Sequence, residues 1–323
     1  MSLLRGRRGR TPTLSLFFAT DLHGSEKCFS KFLRAAEFYS VDALVLGGDL
    51  SGKIVVPVVA EPDGRYTTRM LDQELTLEDE QEVGDAEQRI RLNGFYPFRC
   101  TREELEALHG DDQLKSQRIL EVVREDVERW MTKADELLTA SGIPCVAIPG
   151  NDDDAFVGEL LEQSARIENC EERVVRVDGF QVLGFGYSNP TPWSSPRELS
   201  EDDLAERLDR AAQFLDPDLP TIFNVHVPPH NSGLDFAPEL GADRGMIGGG
   251  RTVPVGSTGV VAAIERYQPV LGLHGHVHES RGAFKLGRSL CLNPGSEYNT
   301  GRLRGVIVRL APEGVVGHQF VTA

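Results

Sequence analysis

An α/β fold is predicted for this 323-residue chain by three observations. Short, nearly continuous apolar runs recur along it, each the mark of a strand buried on both faces. In the first half these runs alternate with stretches of helical periodicity, as in β-α-β units with parallel strands. In the second half, alternating segments flank turn residues, the signature of hairpins.

The elements follow in order. Residues 13–20 (TLSLFFAT) form the first buried run. Residues 25–39 carry Phe29, Phe32, Leu33, Ala36 and Phe38 at helical spacing behind Ser25, a plausible cap. Residues 43–46 (ALVL) are the next strand, which completes a right-handed β-α-β unit. The alternation then breaks over about 51–110. Within that stretch, 54–60 and 66–71 suit a hairpin around Pro62-Asp63-Gly64, and 78–87 is heavily acidic. The stretch reads as an insertion: a lid over a site, an oligomer contact, or a solvated elaboration with no role.

Helical spacing returns over 113–140 and ends at Ser141-Gly142 and Pro144. Residues 145–148 (CVAI) are a third buried strand, and 174–185 a hairpin around Asp178-Gly179. A charged helix over 200–215 precedes strands at 221–225 (TIFNV) and 270–273 (VLGL). A last hairpin joins 305–310 to 315–321 around Pro312-Glu313-Gly314. The organisation expected is a flexible tail over 1–12, then a single domain over 13–323 with its insertion at about 51–112. Parallel strands are expected in the first half and hairpins in the second.

Composition narrows the function. A net charge of −16, from 34 basic and 50 acidic residues, repels phosphate backbones and disfavours nucleic acid as a partner. It does not exclude a phosphate substrate, because bound divalent cations reverse the local field. The five cysteines are scattered, odd in number and without C-x-x-C spacing. A disulfide framework is therefore not expected, and a reduced cytoplasmic setting fits best. No signal-peptide pattern and no membrane-length apolar run are seen, so no membrane association is expected. An acidic surface leaves a homo-oligomer open.

Polar clusters sit directly behind the apolar runs. Asp21-Leu22-His23-Gly24, Gly47-Gly48-Asp49 and Pro149-Gly150-Asn151-Asp152-Asp153 follow the first three strands. His226-Val227-Pro228-Pro229-His230 and His274-Gly275-His276-Val277-His278 follow TIFNV and VLGL. The carboxyl ends of parallel strands share one edge of a sheet, where ligands bind, so these clusters can converge. Aspartate, asparagine and histidine offer oxygen and imidazole nitrogen but no thiolate, a set suited to Mn, Fe, Zn, Ni or Co. Seven candidate ligands, Asp21, His23, Asp49, Asn151, His226, His276 and His278, exceed the needs of one tetrahedral ion and suit two. On an extended segment both imidazoles of His276-x-His278 face one way. Gly47, Gly48, Gly150 and Gly275 allow sharp turns and close approach beside the ligands.

The ordered series Asp21-x-His23, Gly48-Asp49, Gly150-Asn151, His226 and Gly275-His276-x-His278 resembles the calcineurin-like metallophosphoesterase superfamily, from about residue 13 to 300 apart from the insertion. The resemblance implies a four-layer α/β/β/α sandwich with mixed sheets. It also implies one metal held by Asp21, His23 and His278, a second held by Asn151, His226 and His276, and Asp49 bridging the two. Asn293-Pro294-Gly295-Ser296 resembles a segment that many members place after the His-x-His turn. The activity implied is hydrolysis of a small phosphoester, most naturally a phosphodiester, by a metal-bridging hydroxide, with Asp49, Asn151, His226, Asp152 and His230 as catalytic candidates.

One position departs from the family. Many members have histidine directly after the Gly-Asn pair, to stabilise phosphate and protonate the leaving group; here it is Asp152. An ionised aspartate repels phosphate and is a poor acid at neutral pH. Either its carboxyl is held protonated in a crowded acidic pocket, or it points away and His230 or His274 takes its place. The departure also admits a different class of function, a catalytically weak metal-binding scaffold for protein interaction.

Overall fold

The computed structural model describes residues 13–70, 73–240 and 251–323; the tail expected over 1–12 lies outside them. The first layer of strands begins with β1 (Leu14–Ala19), the helix α1 (Glu26–Tyr39) and β2 (Ala43–Leu46). β1 and β2 are parallel, in register from Leu16 opposite Ala43 to Ala19 opposite Leu46. The Ser25 hydroxyl caps α1 by accepting from the Cys28 N–H, and Ser40 closes the helix in the left-handed region.

The insertion is built rather than loose. β3 (Val55–Ala60) and β4 (Tyr66–Met70) form the expected hairpin, joined by β5 (Gln73–Leu77). The acidic stretch folds as α2 (Glu80–Leu92), followed by β6 (Tyr96–Thr101) and α3 (Arg102–Gly110). The four strands make one sheet in the order β5-β4-β3-β6. One face packs Val56, Val58 and Met70 on Val83, Ala86 and Ile90 of α2. The other sends Val59, Tyr96, Phe98 and Cys100 into the main helical layer.

The chain returns through α4 (Asp112–Ser141), closed by Gly142 at φ 69°, then β7 (Cys145–Ala147), α5 (Ala155–Gln163) and β8 (Ile167–Asn169). A hairpin, β9 (Val174–Val177) with β10 (Phe180–Phe185), turns at Asp178-Gly179, both at positive φ. After it come α6 (Glu201–Ala212), β11 (Thr221–Val225), β12 (Phe236–Pro238), β13 (Thr252–Pro254), α7 (Thr258–Tyr267) and β14 (Leu271–Leu273). The last elements are β15 (Gly282–Leu286), β16 (Ser289–Asn293), β17 (Arg304–Ala311) and β18 (Gly314–Thr322).

Two six-stranded mixed sheets result, β18-β17-β1-β2-β7-β8 and β15-β16-β14-β11-β10-β9. They face each other because their strands are apolar on both sides. Leu14, Leu16, Phe18, Ala43 and Val45 meet Val182, Ile222, Leu271 and Leu292 between the sheets. The alternate residues Phe17, Ala19, Leu44 and Leu46 point outward under α1, α4 and α5, where Phe29 stacks on Trp130 at 4.5 Å. On the far side, Phe223 and Val225 pack under α6 and α7. This is a four-layer α/β/β/α sandwich. One expectation is corrected: the second half is not hairpins alone, since β10-β11, β11-β14 and β14-β16 are all parallel. Runs as short as LGL carry little periodicity, and the pairing of strands distant in sequence is set by the shared core. Among the described residues no helix is long and apolar enough to cross a membrane.

Candidate metal centre

The carboxyl ends of β1, β2 and β7 in one sheet, and of β11 and β14 in the other, open onto one edge of the sandwich. Beyond the strands, the first two loops keep a ladder: the N–H groups of Asp21, His23 and Gly24 donate to the carbonyls of Gly48, Asp49 and Leu50 at 2.8–3.0 Å. Two contacts tie the sheets together just below. The Asn224 amide donates to the Leu46 carbonyl at 3.1 Å, and His226 Nδ1 lies 2.7 Å from the Gly47 carbonyl.

All seven candidate ligands gather there. His23 Nε2 lies 3.1 Å from His278 Nε2, which is 3.2 Å from Asp21 Oδ1. Asn151 Oδ1 faces His226 Nε2 at 3.0 Å and His276 Nδ1 at 2.8 Å. Asp49 Oδ2 stands between the groups, 3.3 Å from His226 Nε2 and 3.6 Å from His23 Nε2. Ligand atoms of Asp21, His23 and His278, and those of Asp21, Asp49 and His226, are each mutually within 4.8 Å.

These separations test the fit to a metal. Bonds of roughly 2.1 Å in tetrahedral or octahedral array place neighbouring donors about 3.0–3.4 Å apart. Apart from the 2.8 Å pair of Asn151 and His276, the closest donors here are spaced that way. Two imidazole nitrogens facing each other beside a carboxylate oxygen suit a shared cation. The residues fit divalent metals.

The backbone gives an independent sign. Asp21, His23, Asp49 and His276 all have positive φ, between 40° and 65°, a region costly for side chains other than glycine. Such strain concentrates where function demands a geometry. Two glycines make the close approach possible. A Cβ on Gly150 would stand 2.1 Å from Asp49 Oδ1, and one on Gly275 2.4 Å from Asp21 Oδ2.

The buried carboxylates and histidines set one another's electrostatics. Against burial, which lowers it, Asp49 and Asp21 raise His226 to about 10. Asp49 and Asp21 are themselves held below the usual carboxylate range, histidines outweighing the effect of burial. His276 is pushed down to about 4, by burial first and then by charged His226. His226 Nδ1 sits against the Gly47 carbonyl, so the ring turns Nε2 toward the centre, the usual posture of a metal-ligating imidazole; a metal there would displace the Nε2 proton that the carboxylates otherwise hold.

Asp152 does not point away from the centre. Its Oδ1 is bonded by the Lys53 ammonium and by the Ser195 hydroxyl at 3.0 Å, and its Oδ2 lies 3.8 Å from His23 Nδ1. The residue stays beside the centre, paired with a cation. His274 does not replace it: the ring is fully buried, Nδ1 lies 2.8 Å from the Val225 carbonyl, and Nε2 lies beside Gly272. Among the described residues, the polar partners of His230 are Asp235 and the Ser257 carbonyl, so the structure does not bring it into the cluster.

Several positioning residues escaped the sequence reading. Asn293 donates to the carbonyls of Gly275 and Val277 and so braces the His-x-His turn, while the Ser296 hydroxyl donates to the Asp21 carbonyl at 2.7 Å. Arg197 fixes the Asn151 loop through the carbonyls of Gly150 and Asn151, both at 3.1 Å. Buried Asp153 accepts from the N–H groups of Leu50, Ser51 and Gly150 and joins two ligand loops. Tyr298 packs against His23 at 4.7 Å between ring centres. Only the Asn293-Pro294-Gly295-Ser296 segment had a signal, its likeness to the family.

No family model matches the sequence. An uncharacterized protein of Methanocaldococcus jannaschii is 30% identical over 152 residues, 46% of this chain. The match spans 62% of the length of that relative. TT1561 of Thermus thermophilus superposes with a TM-score of 0.53 at 15% identity, covering 96% of this chain and 98% of its own. Yfce, a phosphoesterase from E. coli, aligns over 95% of this chain and 98% of its own at 11% identity, with a TM-score of 0.32. The chain shares the fold of TT1561, and its own architecture is the four-layer sandwich that the resemblance of its motifs had implied.

Proposed function

We propose that the chain is a metal-dependent phosphoesterase that hydrolyses small phosphodiesters at a centre of two divalent ions. The observation that carries this reading is the convergence of seven oxygen and nitrogen donors, from five strand ends in two sheets, at metal-ligand spacing. Asp21, His23 and His278 would hold one ion, Asn151, His226 and His276 the other, and Asp49, within 3.6 Å of both groups, would be shared. Bound there, the ions supply Lewis acidity and a water nucleophile of lowered pKa.

The rest belongs to the chain. Gly47 and Asn293 fix the rings of His226 and the His-x-His turn, so the donors need no rearrangement. Burial keeps water from screening Asp21, Asp49 and His226. No histidine stands at position 152 to protonate a leaving group, which favours esters whose leaving oxygen departs unprotonated.

The test is hydrolysis of bis-p-nitrophenyl phosphate by protein stripped with chelator and reloaded with Mn²⁺. Metal-restored turnover, lost in Asp49→Asn, supports the reading. Two bound ions with no turnover on any phosphoester would move the function to a metal-holding interaction scaffold.

A further inference from the structure

We infer that Lys53 and Asp152 form a charge-setting pair at the mouth of the centre, which makes a singly charged phosphodiester a better substrate than a doubly charged monoester. The inference rests on the phosphoesterase reading above and names the feature that sets its substrate class.

The Lys53 ammonium bonds Asp152 Oδ1, while Asp152 Oδ2 lies 3.8 Å from one nitrogen of the His23 ring. The other nitrogen of that ring is in the donor cluster. The pair therefore stands one imidazole away from the place where phosphate would sit. It is open to an entering ligand, with the Lys53 side chain 54% exposed and that of Asp152 21%.

Both partners are anchored. The Asp152 N–H donates to Asp49 Oδ1 at 2.9 Å, and Ser195 holds the carboxylate from the opposite loop. Lys53 follows Ser51, which Asp153 grips, and Gly52, whose N–H donates to the buried Tyr96 hydroxyl at 2.8 Å. Tyr96 lies on β6, so the insertion fixes the segment that carries Lys53.

A lone cation at this position would favour the most highly charged phosphate, and a lone carboxylate would repel every phosphate. Paired, the two sum to zero, yet the ammonium keeps N–H groups free to donate to an ester oxygen. A diester carries one negative charge, which the metals meet. A monoester carries about −1.5 to −2 near neutral pH, and a pair that sums to zero does nothing to offset its extra charge.

The pair is tested by removing each half in the metal-loaded protein. The readouts are the affinity for inorganic phosphate by calorimetry and the kcat/KM ratio of p-nitrophenyl phosphate to bis-p-nitrophenyl phosphate. Asp152→Asn uncovers the lysine: phosphate should bind about tenfold tighter and the monoester share should rise. Lys53→Met bares the carboxylate and should shift both quantities about tenfold the other way. The double variant should return to within about threefold of the parent. Shifts in the same direction, no shift, or loss of metal from either variant would overturn the pair. If the parent hydrolyses diesters and the variants do not diverge, only this inference falls. If the metal-loaded parent neither turns over nor binds phosphate, the phosphoesterase reading falls and takes this inference with it.

Discussion

The two sides of the centre differ in burial. His226 is fully buried and Asn151 and Asp49 almost so, beneath the junction of the two sheets. On the other side, the His278 side chain is 30% exposed and His23 12%, with Tyr298 packed along them. The buried side is clamped by backbone carbonyls and by Asp153, the open side by the His-x-His turn and a tyrosine. The difference teaches a division of labour. On the proposed reading, an ion on the buried side would belong to the folded framework, because it would neutralise carboxylates that water does not reach. An ion on the open side would exchange and meet substrate.

Asp49 is common to both sides, so Asp49→Asn should have the largest effect. Activity on bis-p-nitrophenyl phosphate should fall by about 10²–10³-fold, with metal content reduced at both positions by elemental analysis. Full metal content with full activity would remove Asp49 from its shared role.

Single ligand deletions sharpen the contrast. His226→Ala should lower the Tm of metal-loaded protein and reduce its content by the tightly held ion. His23→Ala should leave Tm nearly unchanged and lose only the readily chelated ion. Equal effects of the two on Tm would abolish the distinction between the sides.

A smaller effect is expected from Asn293→Ala, which frees the carbonyls of Gly275 and Val277 and loosens the turn that carries His276 and His278. Metal affinity should fall about 10–100-fold, in the range of other residues that orient ligands. Unaltered affinity would mean that the turn holds itself.

The smallest effect concerns Glu171, which bonds Arg197 at 2.5 Å and so steadies the Asn151 loop. Burial, against the pull of Arg197, pushes the Glu171 carboxyl up to about 7. The folded state then holds a proton that the unfolded chain releases near 4.5. Its contribution is complete below 4.5 and lost as pH rises to 7, with a slope of at most about 1.4 kcal/mol per pH unit. Glu171→Gln should flatten that slope in urea unfolding at pH 5, 6 and 7. An unchanged slope would place the titration elsewhere.

The cluster of candidate ligands was legible in the sequence because each member lies just behind an apolar run, and a buried strand announces its own end. β2 and β11 fall on the residues read as 43–46 and 221–225. What positions these donors was not legible, apart from the family likeness of the Asn293-Pro294-Gly295-Ser296 segment, which did not say what it touches. Ser296 reaches Asp21 across 275 positions, and Asp153 reaches Leu50 across 103. No local pattern records such contacts. The acidic stretch hid α2, since only Val83, Ala86 and Ile90 of its residues are buried. Helix α7 went unread because the apolar residues of TGVVAAIERY run together and lack a clear period. Lys53 lay in what looked like irregular chain, so the partner of Asp152 could not be foreseen from its own neighbours.

The central claim is that five strand ends build one centre with a buried and an open ion position. Calorimetric titration of chelator-stripped protein with Mn²⁺ tests it most directly. The account predicts two ions per chain, bound in separate steps, with only the weaker step lost in His23→Ala. A single step of one ion, or two steps both untouched by His23→Ala, would contradict it.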